Sequence, residues 1–153
     1  MSDTYIQICK GERRLVLFVN GVVSASFPIG LGSSPIGPKR REGDGKTPEG
    51  EYCVCMRNDR SRFHLSLGLS YPNAEDAKTA YNDGLIGKDV LDRVVTAVEK
   101  NEAPPWDTSL GGEIMIHGGG ATDWTAGCIA MEDEVMDFLW ENVPLGTPII
   151  ILP

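Results

Sequence analysis

Basic surface, long apolar runs and cysteine are all scarce in this chain, and each shortage removes a class of function. Fourteen Lys and Arg stand against twenty-two Asp and Glu, a formal net charge of −8. A surface of that sign repels phosphate backbones and excludes general nucleic-acid binding. The longest basic run is only Lys39-Arg40-Arg41. No stretch approaches the roughly 18 apolar residues that a membrane helix needs, so no membrane segment is expected. Met1 to Lys10 holds no apolar h-region, so no signal peptide is expected either. A chain that stays inside the cell and one whose export segment is absent from this sequence both fit that observation. Four cysteines (Cys9, Cys53, Cys55 and Cys128) are too few for a disulfide scaffold in 153 residues.

What is present is ordinary globular material: 41% hydrophobic and 24% charged residues, enough to core a single domain over 1–153. Tyr5 to Cys9, Leu15 to Val19 and Val22 to Phe27 read as strands. Asn20-Gly21 between the last two is a hairpin signal, so a three-strand antiparallel meander is expected. Glycine and proline crowd the segment from Ile29 to Gly50, which reads as a structured loop. Strands are expected at Glu51 to Met56, Phe63 to Leu69, Glu113 to His117 and Ile149 to Leu152. Helices are expected at Asn73 to Asn82, at Lys88 to Lys100 with the stripe Leu91, Val94, Val95 and Val98, and at Glu132 to Asn142. Val135, Phe138 and Leu139 form the apolar face of the last one. The fold class is therefore mainly β (α+β), largely antiparallel, with its helices in the second half.

Two motifs compete for chemistry and fail. Gly43-Asp44-Gly45-Lys46-Thr47 resembles the end of a phosphate-binding loop, but Arg40 stands where the first glycine belongs and no helix pattern follows. Cys53 and Cys55 share one strand face and, with His64 or Cys9, offer a metal or redox reading. Their spacing is shorter than zinc sites use, and small core residues are the plainer account. No metal or cofactor is expected.

The informative stretch is Ile114-Met115-Ile116-His117-Gly118-Gly119-Gly120-Ala121-Thr122-Asp123-Trp124-Thr125-Ala126-Gly127-Cys128. An apolar strand delivers a histidine at its exit, and a cysteine follows Thr-Ala-Gly. Imidazole can take the thiol proton to make the nucleophilic thiolate. The glycines let a substrate backbone approach and free N–H groups for a developing oxyanion. Taken singly, a strand-end histidine is more often structural and a lone cysteine buried filler. Trp124 and Asp123 either wall the pocket or pack the loop. His64 either enters the cleft or sits solvated on the sheet.

At these residues the chain resembles the L,D-transpeptidase catalytic domain family of the YkuD or ErfK type, whose signature is His-Gly, a spacer and Ser/Thr-His-Gly-Cys. His117-Gly118 and Thr125-Ala126-Gly127-Cys128 carry the likeness, together with Gly30-Leu31-Gly32, Lys46-Thr47-Pro48-Glu49-Gly50, Tyr71-Pro72-Asn73 and Gly146-Thr147-Pro148. The resemblance implies a β-sandwich and cysteine acyl transfer on peptidoglycan stem peptides in cell-wall biogenesis and cell shape. It implies a monomer without cofactor, located in the periplasm or cell wall. Cys128 becomes the nucleophile, His117 the base and the Gly118 carbonyl its orienter. N–H groups near Gly127 and Cys128 become the oxyanion donors, with Thr125, Trp124 and His64 beside the substrate. Ala126 replaces the family's second histidine, the spacer is short, and Ala130 stands where many members carry Arg or Asn. Transfer to an amine, hydrolysis by a carboxypeptidase or amidase, and a silent wall-binding module all fit those departures.

Overall fold

The computed structural model describes residues 3–153. Its strands are β1 (Thr4–Cys9), β2 (Arg14–Val19), β3 (Val22–Pro28), β4 (Gly50–Ser61), β5 (His64–Leu69), β6 (Met115–His117), β7 (Ile129–Ala130) and β8 (Pro148–Leu152). The meander forms as its turn chemistry requires. Asn20 (φ 53°) and Gly21 (φ 77°) both take the left-handed conformation of a type I′ turn. Strand alternation then sends Ile6, Ile8, Leu15 and Leu17 inward, all at most 1% exposed.

The sheet runs β3-β2-β1-β8-β4-β5-β6-β7. Strand β4 is its hinge, pairing with β8 over Gly50–Cys53 and with β5 from Val54 onward. The curled sheet thereby closes on itself, and side chains from both halves meet in one core: Ile6, Leu15 and Ile149 with Leu67, Ile116 and Ile129. Each such side chain contributes roughly 1.5–3 kcal/mol by burial. Two pairings are parallel, β1 with β8 and β6 with β7, so the sheet is less uniformly antiparallel than the strand pattern foretells.

Helices α1 (Ala74–Asn82) and α2 (Lys88–Glu99) pack together around Ala77, Ala80, Ile86, Val94 and Leu110. Asn73 is the cap of α1, closed by a reciprocal bond with Asp76. On α2 only Val94 of the expected stripe is fully buried, and Val98 is 39% exposed. Helix α3 (Asp133–Asn142) is rotated from the expected face. Met136 and Leu139 enter the core, while Phe138 sits at its rim, edge-on to Phe27.

Cys53 and Cys55 do share one face of β4, with Val54 between them in the core. His64 pairs with Ser61 at the opposite end of that strand, so the register separates the imidazole from the two thiols. Among the described residues no group of three or more metal-ligating side chains forms, and no helix is long and apolar enough to cross a membrane.

Candidate active site

Strand β6 ends on His117, and its parallel partner β7 begins immediately after Cys128. Ile116 pairs with Ile129, and His117 with Ala130. Ile116 and Ile129 face the core, so alternation turns Met115, His117 and Ala130 to the other side. One residue back along the register Cys128 stands opposite Met115, whose N–H donates to Cys128 Sγ at 3.4 Å. Cys128 thus stands one residue ahead of β7, beside Met115 and two positions from His117 along the register.

The imidazole is fixed from three sides. Nδ1 lies 2.7 Å from the Gly118 carbonyl oxygen, so it carries the proton and leaves Nε2 as the basic nitrogen. Phe63 stacks on the ring at 4.7 Å, and Trp124 leans over it at 5.4 Å. Burial to 4% exposure holds the ring neutral by pushing its pKa below the ordinary 6.5, against the Gly118 bond, which pulls the other way.

The thiol is also kept neutral. Desolvation raises Cys128 above its ordinary value, outweighing the Met115 N–H that favours thiolate. Its proton is directed to the Glu113 carbonyl oxygen at 3.4 Å. Among the described residues the thiol's partners are Glu113 and Met115 rather than His117. The direct sulfur–imidazole contact that the motif foretells is therefore not made in this resting arrangement. Cys128 lines a cleft of about 240 Å³ with Lys39, Glu42, Trp106, Glu113 and Ala126.

The turn ahead of Cys128 is built by threonine. Thr125 Oγ1 accepts from Gly127 N–H at 3.1 Å and donates to the Cys128 carbonyl at 2.8 Å. Both of these Thr125 hydroxyl bonds close the turn itself. The Gly127 N–H, expected among the oxyanion donors, already has that hydroxyl as its acceptor. The spacer is pinned as well. Asp123 accepts from Leu31 N–H and pairs with Arg13, Trp124 Nε1 donates to the Gly120 carbonyl, and Asp133 accepts from Gly119 N–H. Trp124 both walls the histidine and packs the loop. His64 turns its imidazole to Asp137 on α3, away from the thiol.

Sequence reading passed over Phe63, Glu113 and Thr47 as individual site residues. Phe63 and Thr47 lay inside segments already quoted, but nothing local marked their contacts. Glu113 takes a left-handed conformation (φ 55°) that no composition signal announces.

Comparison with known proteins bears on the family and the fold. The family model for the YkuD L,D-transpeptidase catalytic domain matches residues 3–151. A protein of Escherichia coli with the provisional name L,D-transpeptidase YafK is 31% identical, over 96% of this chain and 51% of its own length. Among solved structures, Bd1075 of Bdellovibrio bacteriovorus superposes with a TM-score of 0.65 at 23% identity, covering 99% of this chain and 48% of that one. The helical cell shape determining protein Pgp2 of Campylobacter jejuni gives 0.65 at 21% identity, covering 99% and 49%. The chain spans about half the length of these relatives. With one family model matching almost every residue, the chain belongs to the L,D-transpeptidase catalytic domain family.

Proposed function

We propose that this domain performs cysteine acyl transfer on peptidoglycan stem peptides, with Cys128 as nucleophile and His117 as base. The observation that carries the reading is the pairing of β6 with β7. It brings the strand that ends on a neutral imidazole, oriented by the Gly118 carbonyl, beside the turn that carries a neutral thiol. His117 Nε2 takes the thiol proton as the thiol leaves Glu113, and sulfur bonds to the carbonyl carbon that follows the third stem residue. The carbonyl π pair moves to oxygen, then returns to expel the terminal D-alanine amine, which takes the proton from His117. A thioester remains. An amine of a second stem, or water, attacks it and restores the thiol. Gly118 plays through its backbone the orienting part that a carboxylate fills in serine triads.

Incubating the protein with muropeptides and weighing the products by mass spectrometry tests the reading. A cross-linked dimer means transfer, loss of D-alanine or stem cleavage alone means hydrolysis, and binding with no new mass defeats the enzyme reading.

The pH profile tests the resting charge state. Protonated His117 cannot accept the thiol proton, so kcat/KM falls on the acid side. Because burial lowers that imidazole, the midpoint lies below its ordinary 6.5. In a pre-formed thiolate–imidazolium pair the acid limb would report the thiol's own proton and the raised histidine would set the alkaline limb. An acid midpoint above 6.5 in a kcat/KM titration counts against an imidazole lowered by burial.

A further inference from the structure

We infer that Thr47 is a positioning residue for the oxyanion donor of this site. The inference rests on the acyl-transfer reading above. Three polar groups of the Gly127–Cys128 turn are tied down by two threonine hydroxyls. Thr125 holds the Gly127 N–H and the Cys128 carbonyl. Thr47 Oγ1, from the other side, donates to the Gly127 carbonyl at 2.8 Å. Among the described residues the Cys128 N–H has no protein acceptor, and it belongs to the nucleophile itself.

A trans peptide points its carbonyl and its N–H in opposite directions. Pinning the Gly127 oxygen toward Thr47 therefore aims the Cys128 N–H away from Thr47. A hydrogen bond accepted by that carbonyl also polarises the amide and strengthens the N–H as a donor. Oxyanion stabilisation depends on such aim, because the donor must meet the position where charge develops.

Thr47 is itself held firmly. It is fully buried, and its carbonyl accepts from Lys10 Nζ at 2.7 Å. The Lys10 ammonium is buried too, with the Gly37 carbonyl and Glu49 as its other partners. Pro48 restricts the backbone of Thr47 to extended conformations. Gly127 completes the contact, since its missing Cβ is what lets the Lys46 carbonyl lie against the turn. A segment eighty positions upstream thus sets the plane of the peptide that bears the Cys128 N–H.

Two reagents separate this role from mere packing. A carbapenem acylates Cys128 through a tetrahedral oxyanion: the S–C bond forms, the lactam C–N bond breaks and nitrogen takes the proton. Iodoacetamide alkylates the same sulfur by displacing iodide, with no oxyanion. Thr47→Val should slow carbapenem acylation about tenfold to a hundredfold, less than the loss of a whole donor. Its iodoacetamide rate should stay within about twofold of wild type, because sulfur and base are untouched. Thr47→Ser should restore acylation. Thr47→Cys, a weaker donor, should fall between and gives the graded readout if the valine variant does not fold. The loss should appear in the saturating acylation rate rather than in the concentration giving half of it. Equal slowing of both reagents, or no slowing of either, overturns the inference. A wild-type protein that iodoacetamide labels and the carbapenem does not overturns the acyl-transfer reading beneath it.

Discussion

Cys128→Ala abolishes the covalent adduct with an acylating β-lactam, and His117→Ala slows its formation by about a thousandfold or more. The size of the second effect follows from the charge state of the thiol. Burial holds Cys128 above its ordinary value, so at neutral pH well under about one thiol in ten is ionised without help. The remaining proton is directed to the Glu113 carbonyl, which cannot keep it. Only a neutral Nε2 nearby can remove it during attack, and burial keeps His117 in that form. Timed exposure followed by intact-mass measurement reads both variants. Raising the pH toward and past 9 should rescue His117→Ala in part, because the thiolate then forms unaided. Adduct formation at the wild-type rate in both variants would remove Cys128 and His117 from the chemistry.

The motif that carries this prediction was legible because it is local. His117 at a strand exit and Cys128 after Thr-Ala-Gly lie within one short stretch, and glycine marks the turns between them. The opening meander was legible for the same reason, since Asn20-Gly21 fixes a hairpin by backbone sterics alone. What stayed hidden is long-range. Strand β7 has two residues, too few for any periodicity, and exists because Ile129 pairs with Ile116. Thr47 and Gly127 meet across eighty positions, and Arg13 and Asp123 across 110. Phe63 reaches His117 because the Gly118 N–H donates to the Phe63 carbonyl, bringing the β4–β5 turn up to the strand exit. The expected oxyanion donors included the Gly127 N–H, and only the closure of the Thr125 hydroxyl onto it shows that this group is taken. The tilt of α3 escaped for a different reason. Val135, Met136, Phe138 and Leu139 make an apolar arc wider than the core can bury, so packing against β5 selects its centre.

Gly127→Ala is the substitution with the second-largest expected effect, and it acts on the same turn without touching sulfur or imidazole. Gly127 has φ 137°, a conformation L residues rarely adopt. A Cβ there would lie 2.7 Å from the Lys46 carbonyl oxygen and 3.4 Å from Ile114 Cδ1. The first of these is backbone, and Lys46 is anchored through its own N–H to Asp44, so relief must come from the turn itself. Moving the turn breaks one of the threonine bonds and displaces the nucleophile. A displacement near 1 Å costs about a hundredfold in rate, and the strained conformation with its clash costs about 2–4 kcal/mol of stability. Gly120→Ala is the matched comparison. Gly120 also has positive φ, at 111°, but open space where its Cβ would go. Backbone strain alone then costs it about 1–3 kcal/mol, and acylation of Cys128 should stay near wild type. Urea denaturation with acylation rates on both variants separates the two effects. If Gly127→Ala keeps wild-type acylation, the close approach of the Lys46 carbonyl is not what holds Cys128 in place.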